Sequence, residues 1–139
     1  MKRAAALLLA LCAAHAWAQA PACPAASDIA QAQMVGLWRA EFEGLAQGAT
    51  LLLEKHPEYE GSIAGGINRN GERGVVSGDV DNGEFNLEES ADGKRISGVF
   101  TGEVVEGSCG REIRGTWRPE DDTPERAFVL RRIDGNPGR

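Results

Sequence analysis

Five times in this chain an apolar residue, a spacer, a glycine, a spacer and a second apolar residue recur in that order. The five are Met34-Gly36-Trp38, Ile63-Gly65-Ile67, Val76-Gly78-Val80, Ile96-Gly98-Phe100 and Ile113-Gly115-Trp117. Side chains on a strand alternate faces with period two, so each unit puts apolar, glycine and apolar on one face and mostly polar residues on the other. A glycine at the centre of the buried face lets strands coil tightly and approach a bulky neighbour. A closing barrel needs this and a flat sheet does not.

Turn chemistry divides the chain into eight runs. Asn70-Gly71, Asn82-Gly83 and Asp92-Gly93 are dipeptides that supply positive φ in tight hairpin turns, and looser turns fall at Gly44–Gly48, His56-Pro57, Glu106-Gly107 and Pro119–Pro124. The strands are expected near Val35–Glu43, Ala49–Lys55, Gly61–Asn68, Gly74–Asp81, Glu84–Glu89, Arg95–Val104, Arg111–Arg118 and Arg126–Ile133. Every link is short, so neighbours in sequence are antiparallel neighbours in space. Closing the first strand on the last removes two exposed edges. The expected fold is all-β, an eight-stranded antiparallel up-and-down β-barrel over residues 36–133. An N-terminal segment, 19–35, carries one short helix at Ser27–Gln33, capped by Ser27 or Asp28, and residues 134–139 form a frayed tail.

Residues 1–18 read as a secretory signal peptide. Lys2 and Arg3 form the basic start, Ala4–Ala14 an apolar run too short to span a bilayer, and Ala16-Trp17-Ala18 the cleavage signal; a cut after Ala20 is the alternative. The exported product is expected in the periplasm or outside the cell, with no later apolar stretch to insert into a membrane. Cys12 leaves with the signal. Cys23 and Cys109 then remain in an oxidising compartment without metal-like spacing, which reads as one disulfide. In the up-and-down topology both fall at the end where the first strand begins, called the bottom here. The closed loop is worth about 4 kcal/mol in the chain-entropy model. Without Lys2 and Arg3 the chain carries 21 acidic and 13 basic residues, a net charge of −8. Nucleic acid and anionic membrane surfaces are not expected as partners on that ground.

Gly36-Leu37-Trp38 on the first strand, with Phe128-x-Leu130-x-Arg132 on the last, resembles the signature of lipocalin-like (calycin) barrels. The resemblance implies that Arg132 packs over Trp38 and closes the narrow end of the barrel. A guanidinium over an indole face gains roughly 1–2 kcal/mol when desolvated. The chain departs from the longer lipocalins in its short Gly44–Gly48 loop, which leaves no room for a wide lid. It also lacks the several aromatic and polar side chains with which avidin-like barrels hold biotin. His56 sits in a turn and not near the last strand, so the haem ligand of nitrobindin-type barrels has no counterpart. No cofactor is implied.

The alternation assigns an inward set of Trp38, Ala40, Phe42, Leu51, Leu53, Ile63, Ile67, Val76, Val80, Phe85, Leu87, Ile96, Phe100, Val104, Ile113, Trp117, Phe128 and Leu130. This set holds no histidine, thiol or carboxylate, so acid–base or nucleophilic catalysis is not expected. Phe42, Trp117 and Phe128 should meet at the top, where Ile67, Val76 and Ile96 would complete the wall of a site for a small apolar ligand. The opposing expectation is a core filled by the barrel's own side chains, with the protein acting as a structural or interaction barrel of the cell envelope. Asp79–Glu84 has an acidic rhythm, but neither glycine nor glutamate stands where a calcium loop needs it. His56-Pro57-Glu58 and Glu120-Asp121-Asp122 read as solvated turns, and no metal is expected. Leu37, Leu52, Val129 and Ile133 fall on the solvent parity of three adjoining strands. They are expected either to be covered by Ile29 of the N-terminal segment, the preferred reading, or to mediate self-association.

Overall fold

The period-two rhythm reappears as alternating burial. In Glu84–Ser90, for example, Phe85, Leu87 and Glu89 are buried while Glu84, Asn86 and Glu88 are exposed. The computed structural model describes residues 23–121 and 123–134, so the expected signal peptide and all of the tail beyond Asp134 lie outside the described residues. Eight strands are present: β1 (Gly36–Phe42), β2 (Ala49–Lys55), β3 (Ile63–Arg69), β4 (Glu72–Asp81), β5 (Glu84–Ser90), β6 (Gly98–Val104), β7 (Glu112–Pro119) and β8 (Arg126–Arg132). Each pairs antiparallel with the next, and β8 returns to pair with β1 through Trp38–Arg132, Ala40–Leu130 and Phe42–Phe128, closing the barrel. No helix among the described residues is long and apolar enough to cross a membrane.

The central glycines have the expected cause. A Cβ added to Gly65 would sit 1.8 Å from the Leu52 carbonyl oxygen, and one added to Gly78 would sit 1.9 Å from that of Asn86. Neighbouring strands therefore approach closely where the barrel coils. Two of the three hairpin dipeptides form tight turns, with positive φ at Asn70 and Gly71 and at Asn82 and Gly83. The third does not. The Asp92 carboxylate accepts the backbone N–H groups of Lys94 and Arg95, at 2.8 and 2.9 Å, and holds them out of the ladder. The link runs to Ser97 and β6 starts at Gly98, three residues later than expected. Ile96 consequently lies in this loop, 40% exposed, and is not an inward residue.

The N-terminal segment is also different from the expected single helix. A 3-10 turn, Ala26–Asp28, is followed by extended Ile29 and Ala30 and then by one helical turn, α1 (Gln31–Met34). Ile29 and Met34 are both buried in the core. Five residues along a continuous helix turn through about 500°, which would leave the two side chains about 140° apart; the break lets both enter the barrel. The backbone N–H of Ala30 is taken up by Gln33 Oε1 at 2.9 Å, which restarts the helix after the break.

This segment closes the bottom. Trp38 Nε1 donates to the Met34 carbonyl at 2.8 Å, and Arg132 donates from Nη1 to the Gln33 carbonyl at 2.5 Å and from Nη2 to the Val35 carbonyl at 2.7 Å. The Arg132 guanidinium carbon lies 5.8 Å from the Trp38 ring centroid, within cation–π range. Cys23 and Cys109 form a disulfide that ties the start of the segment to the β6–β7 loop. The eight-stranded closed barrel and this arginine over the first-strand tryptophan are consistent with a lipocalin-like fold.

Candidate functional site

At the opposite end the alternation runs one step further than the apolar residues do. Ile63-x-Gly65-x-Ile67 continues to Arg69, and Phe85-x-Leu87 continues to Glu89, so both charges point into the barrel mouth. Arg69 Nε donates to Glu89 Oε1 at 2.8 Å and Nη2 to Oε2 at 2.7 Å, a bidentate pair. Trp117 Nε1 adds a third donor to Oε2 at 3.2 Å. The guanidinium is held between two rings, its carbon 4.7 Å from the Phe42 centroid and 4.5 Å from that of Trp117. Glu89 is only 6% exposed. Burying such a carboxylate without partners would be costly, and here three donors satisfy it.

The inward set therefore does contain a carboxylate, contrary to the expectation from the apolar residues alone. Following parity through the charged positions, and not stopping at the last apolar one, would have found both members of the pair. Gly98, across from Glu89 in the β5–β6 register, is the space that admits them. A Cβ there would lie 2.7 Å from Trp117 Nε1 and 3.2 Å from Glu89 Oε2.

Outside this ion pair lies an open cleft of about 630 Å³, lined by the β1–β2 loop residues Leu45, Ala46, Gln47 and Gly48 and by Arg69, Asn70, Glu72 and Trp117. Arg126 Nη1 donates to the Glu43 carbonyl at 3.0 Å, which fixes one root of that loop. Arg69 is neutralised by Glu89, so Glu72, its cross-strand neighbour, gives the rim a negative balance.

Of the residues expected to form an apolar site, the structure brings Phe42, Trp117 and Phe128 to the upper barrel. The Phe42 ring centroid lies 4.9 Å from that of Trp117 and 5.9 Å from that of Phe100, and Phe100 lies 5.1 Å from Phe128. These rings pack on one another, and Phe42, Phe128, Ile67 and Val76 are buried in the core. Only Trp117 borders the mouth cleft; Ile96 lines separate surface clefts beside the β5–β6 and β7–β8 loops.

The outer apolar row is not covered by the N-terminal segment. Ile29 is in the core against Gly110, whereas Leu37 and Leu52 remain 45% and 46% exposed and Ile133 is exposed beside them. Val129 stands apart from this row. It pairs with Glu41 and Arg114 and is half-buried.

Among the described residues three carboxyl groups are shifted. Hydrogen bonds from the backbone of Arg95 and then of Lys94 push Asp92 down to about 2. Asp121 is lowered by hydrogen bonds from Thr123, and Glu112 by its hydrogen bond from Arg114 and then that from Arg131. All three are surface groups that steady loops and strand edges. Among the described residues no group of three or more histidine, cysteine or acidic side chains is placed to hold a metal ion. No protein-family model matches this chain, and no curated protein matches it in sequence.

Proposed function

We propose that this protein is an exported lipocalin-like barrel that binds a small apolar molecule at its mouth, against Trp117 and Leu45, and not in its interior. The observation that carries this reading is the half-buried Trp117 indole in the wall of the mouth cleft, beside the exposed Leu45. The packed rings of Phe42, Phe100 and Phe128 favour the mouth over the interior. Export is supported by the disulfide and by the basic-then-apolar start of the sequence. Core residues are apolar and outward strand positions such as Arg39, Glu54 and Glu88 are charged. That pattern is the inverse of a membrane-spanning barrel and favours an aqueous setting. The reading is of binding and not catalysis, because Glu89, the carboxylate at the cleft floor, already accepts three hydrogen bonds.

Trp38 is fully buried at the bottom, so a change in tryptophan emission on ligand addition reports on Trp117. Titration with a series of fatty acids and flat aromatic molecules should quench that emission saturably, and Leu45→Glu should weaken the response at least tenfold. A second reading, a structural or interaction barrel of the cell envelope, is favoured by the same ring packing. A flat response across the whole series selects it and removes the mouth site.

A further inference from the structure

The outer face of β1 and β2 carries an exposed leucine pair flanked by opposite charges at diagonal positions. Leu37 and Leu52 are directly paired across the two strands, and Ile133 joins them through its N–H to the Leu37 carbonyl at 2.8 Å. Along the same rung the sheet continues to Gly66 and then to Val75, which is exposed. Two residues beyond Leu37, toward the top, stands Arg39; two residues beyond Leu52, toward the bottom, stands Glu54. Because β1 and β2 are antiparallel, these opposite charges occupy equivalent positions about the centre of the leucine pair. Both are exposed, and neither is in any of the ion pairs among the described residues.

We infer that this face docks a second copy of the same chain. Two copies face to face, related by a two-fold axis that lies between them, passes over the middle of the leucine pair and runs perpendicular to the line from Arg39 to Glu54, place Leu37 and Leu52 of one against those of the other. The same operation sets each Arg39 opposite the partner's Glu54. A surface that repeats one contact in this way is what an isologous dimer requires. The apolar centre is withdrawn from water while the rim charges fix the register. Val129 takes no part, being walled off by Glu41 and Arg114.

The test is sedimentation equilibrium of the disulfide-intact exported protein, at low and at high salt, for the wild type, Leu52→Glu, Arg39→Glu and the charge-swapped double variant Arg39→Glu/Glu54→Arg. All substituted side chains are on the outer surface, and circular dichroism checks that the barrel is intact. The wild type should form a dimer that weakens with added salt. Leu52→Glu and Arg39→Glu should each raise the dimer dissociation constant at least tenfold, and the double swap should restore it to within about threefold of wild type. A wild-type monomer at all concentrations would overturn the inference. So would a dimer indifferent to the single substitutions, or one that the double swap fails to restore. The mouth titration reads a different surface, so failure of either leaves the other standing.

Discussion

Replacing Arg69 with methionine tests whether the charged pair in the mouth is coupled as the geometry says. The substitution keeps most of the side-chain length between Phe42 and Trp117 but removes two of the three donors to Glu89, leaving Trp117 Nε1 alone. Stranding one partner of a buried pair costs about 3–5 kcal/mol. The Arg69 side chain is 24% exposed and that of Glu89 only 8%, so water reaches the site in part and the lower end, about 3 kcal/mol, is expected. In a barrel of this size that lowers Tm by about 10–15 °C. Glu89→Leu should cost less, about 1–2 kcal/mol, because the freed guanidinium can still reach water and keep its contacts with the rings. Replacing both partners leaves no stranded charge, so Arg69→Met/Glu89→Leu should lie within about 1 kcal/mol of wild type. Urea unfolding followed by tryptophan emission gives all four stabilities, and the double-mutant cycle gives a coupling of about 4–5 kcal/mol. Additive single costs, or an Arg69→Met cost under about 1 kcal/mol, would refute the assignment.

The two adjacent glycines of β3 make an internal control. Gly65→Ala drives a methyl against the Leu52 carbonyl and should cost about 3 kcal/mol or prevent folding, whereas Gly66→Ala, whose nearest contact would be 3.7 Å away, should change stability by less than about 1 kcal/mol. Thermal unfolding of the pair decides between close approach and mere strand propensity. Reducing the Cys23–Cys109 bridge, which spans 86 residues, should lower the urea midpoint by the equivalent of about 4 kcal/mol; an unchanged midpoint would mean the N-terminal segment is held by its other contacts, the burial of Ile29 and Met34 and the bonds from Trp38 and Arg132 among them. Asp92 is ionised in the folded protein down to about pH 2. Its folded pKa lies below the unfolded value, so its contribution is present above about pH 4 and is lost as pH falls toward 2. Carboxyl NMR should show its titration midpoint near 2, and a midpoint at the ordinary 3.8 would mean that the β5–β6 loop is not closed on it.

Much of the barrel is legible in the sequence. The glycine-centred alternation and the short turns give eight strands, and strand bounds agree closely with expectation except at β6. There a side chain, Asp92, captured backbone N–H groups that a turn dipeptide alone does not account for. The N-terminal segment departs from the expected helix because helical propensity is local. The burial of Ile29 and Met34 depends on the open barrel end they meet, and Ile29 was accordingly assigned to the outer face. At the mouth the apolar alternation ends one step short of Arg69 and Glu89, so hydrophobicity does not mark them as interior although they lie on the same parity. Each would be out of place inside without the other, and they are 20 residues apart.

The sequence by itself determined where the chain reverses, that Cys23 could reach Cys109 and, except at Ile96, which side of each strand faces inward. These follow from period-two geometry and from turn chemistry, both of which act over a few residues. Tertiary structure alone decided that Arg69 and Glu89 meet as a bidentate pair beneath the mouth cleft, that the ring-lined interior is packed, and that Leu37 and Leu52 are exposed on the single barrel between opposite charges outside any ion pair of the described residues. These outcomes depend on which strands curve toward each other when the barrel closes, and that juxtaposition is set by packing across the whole molecule and not by any local run of residues.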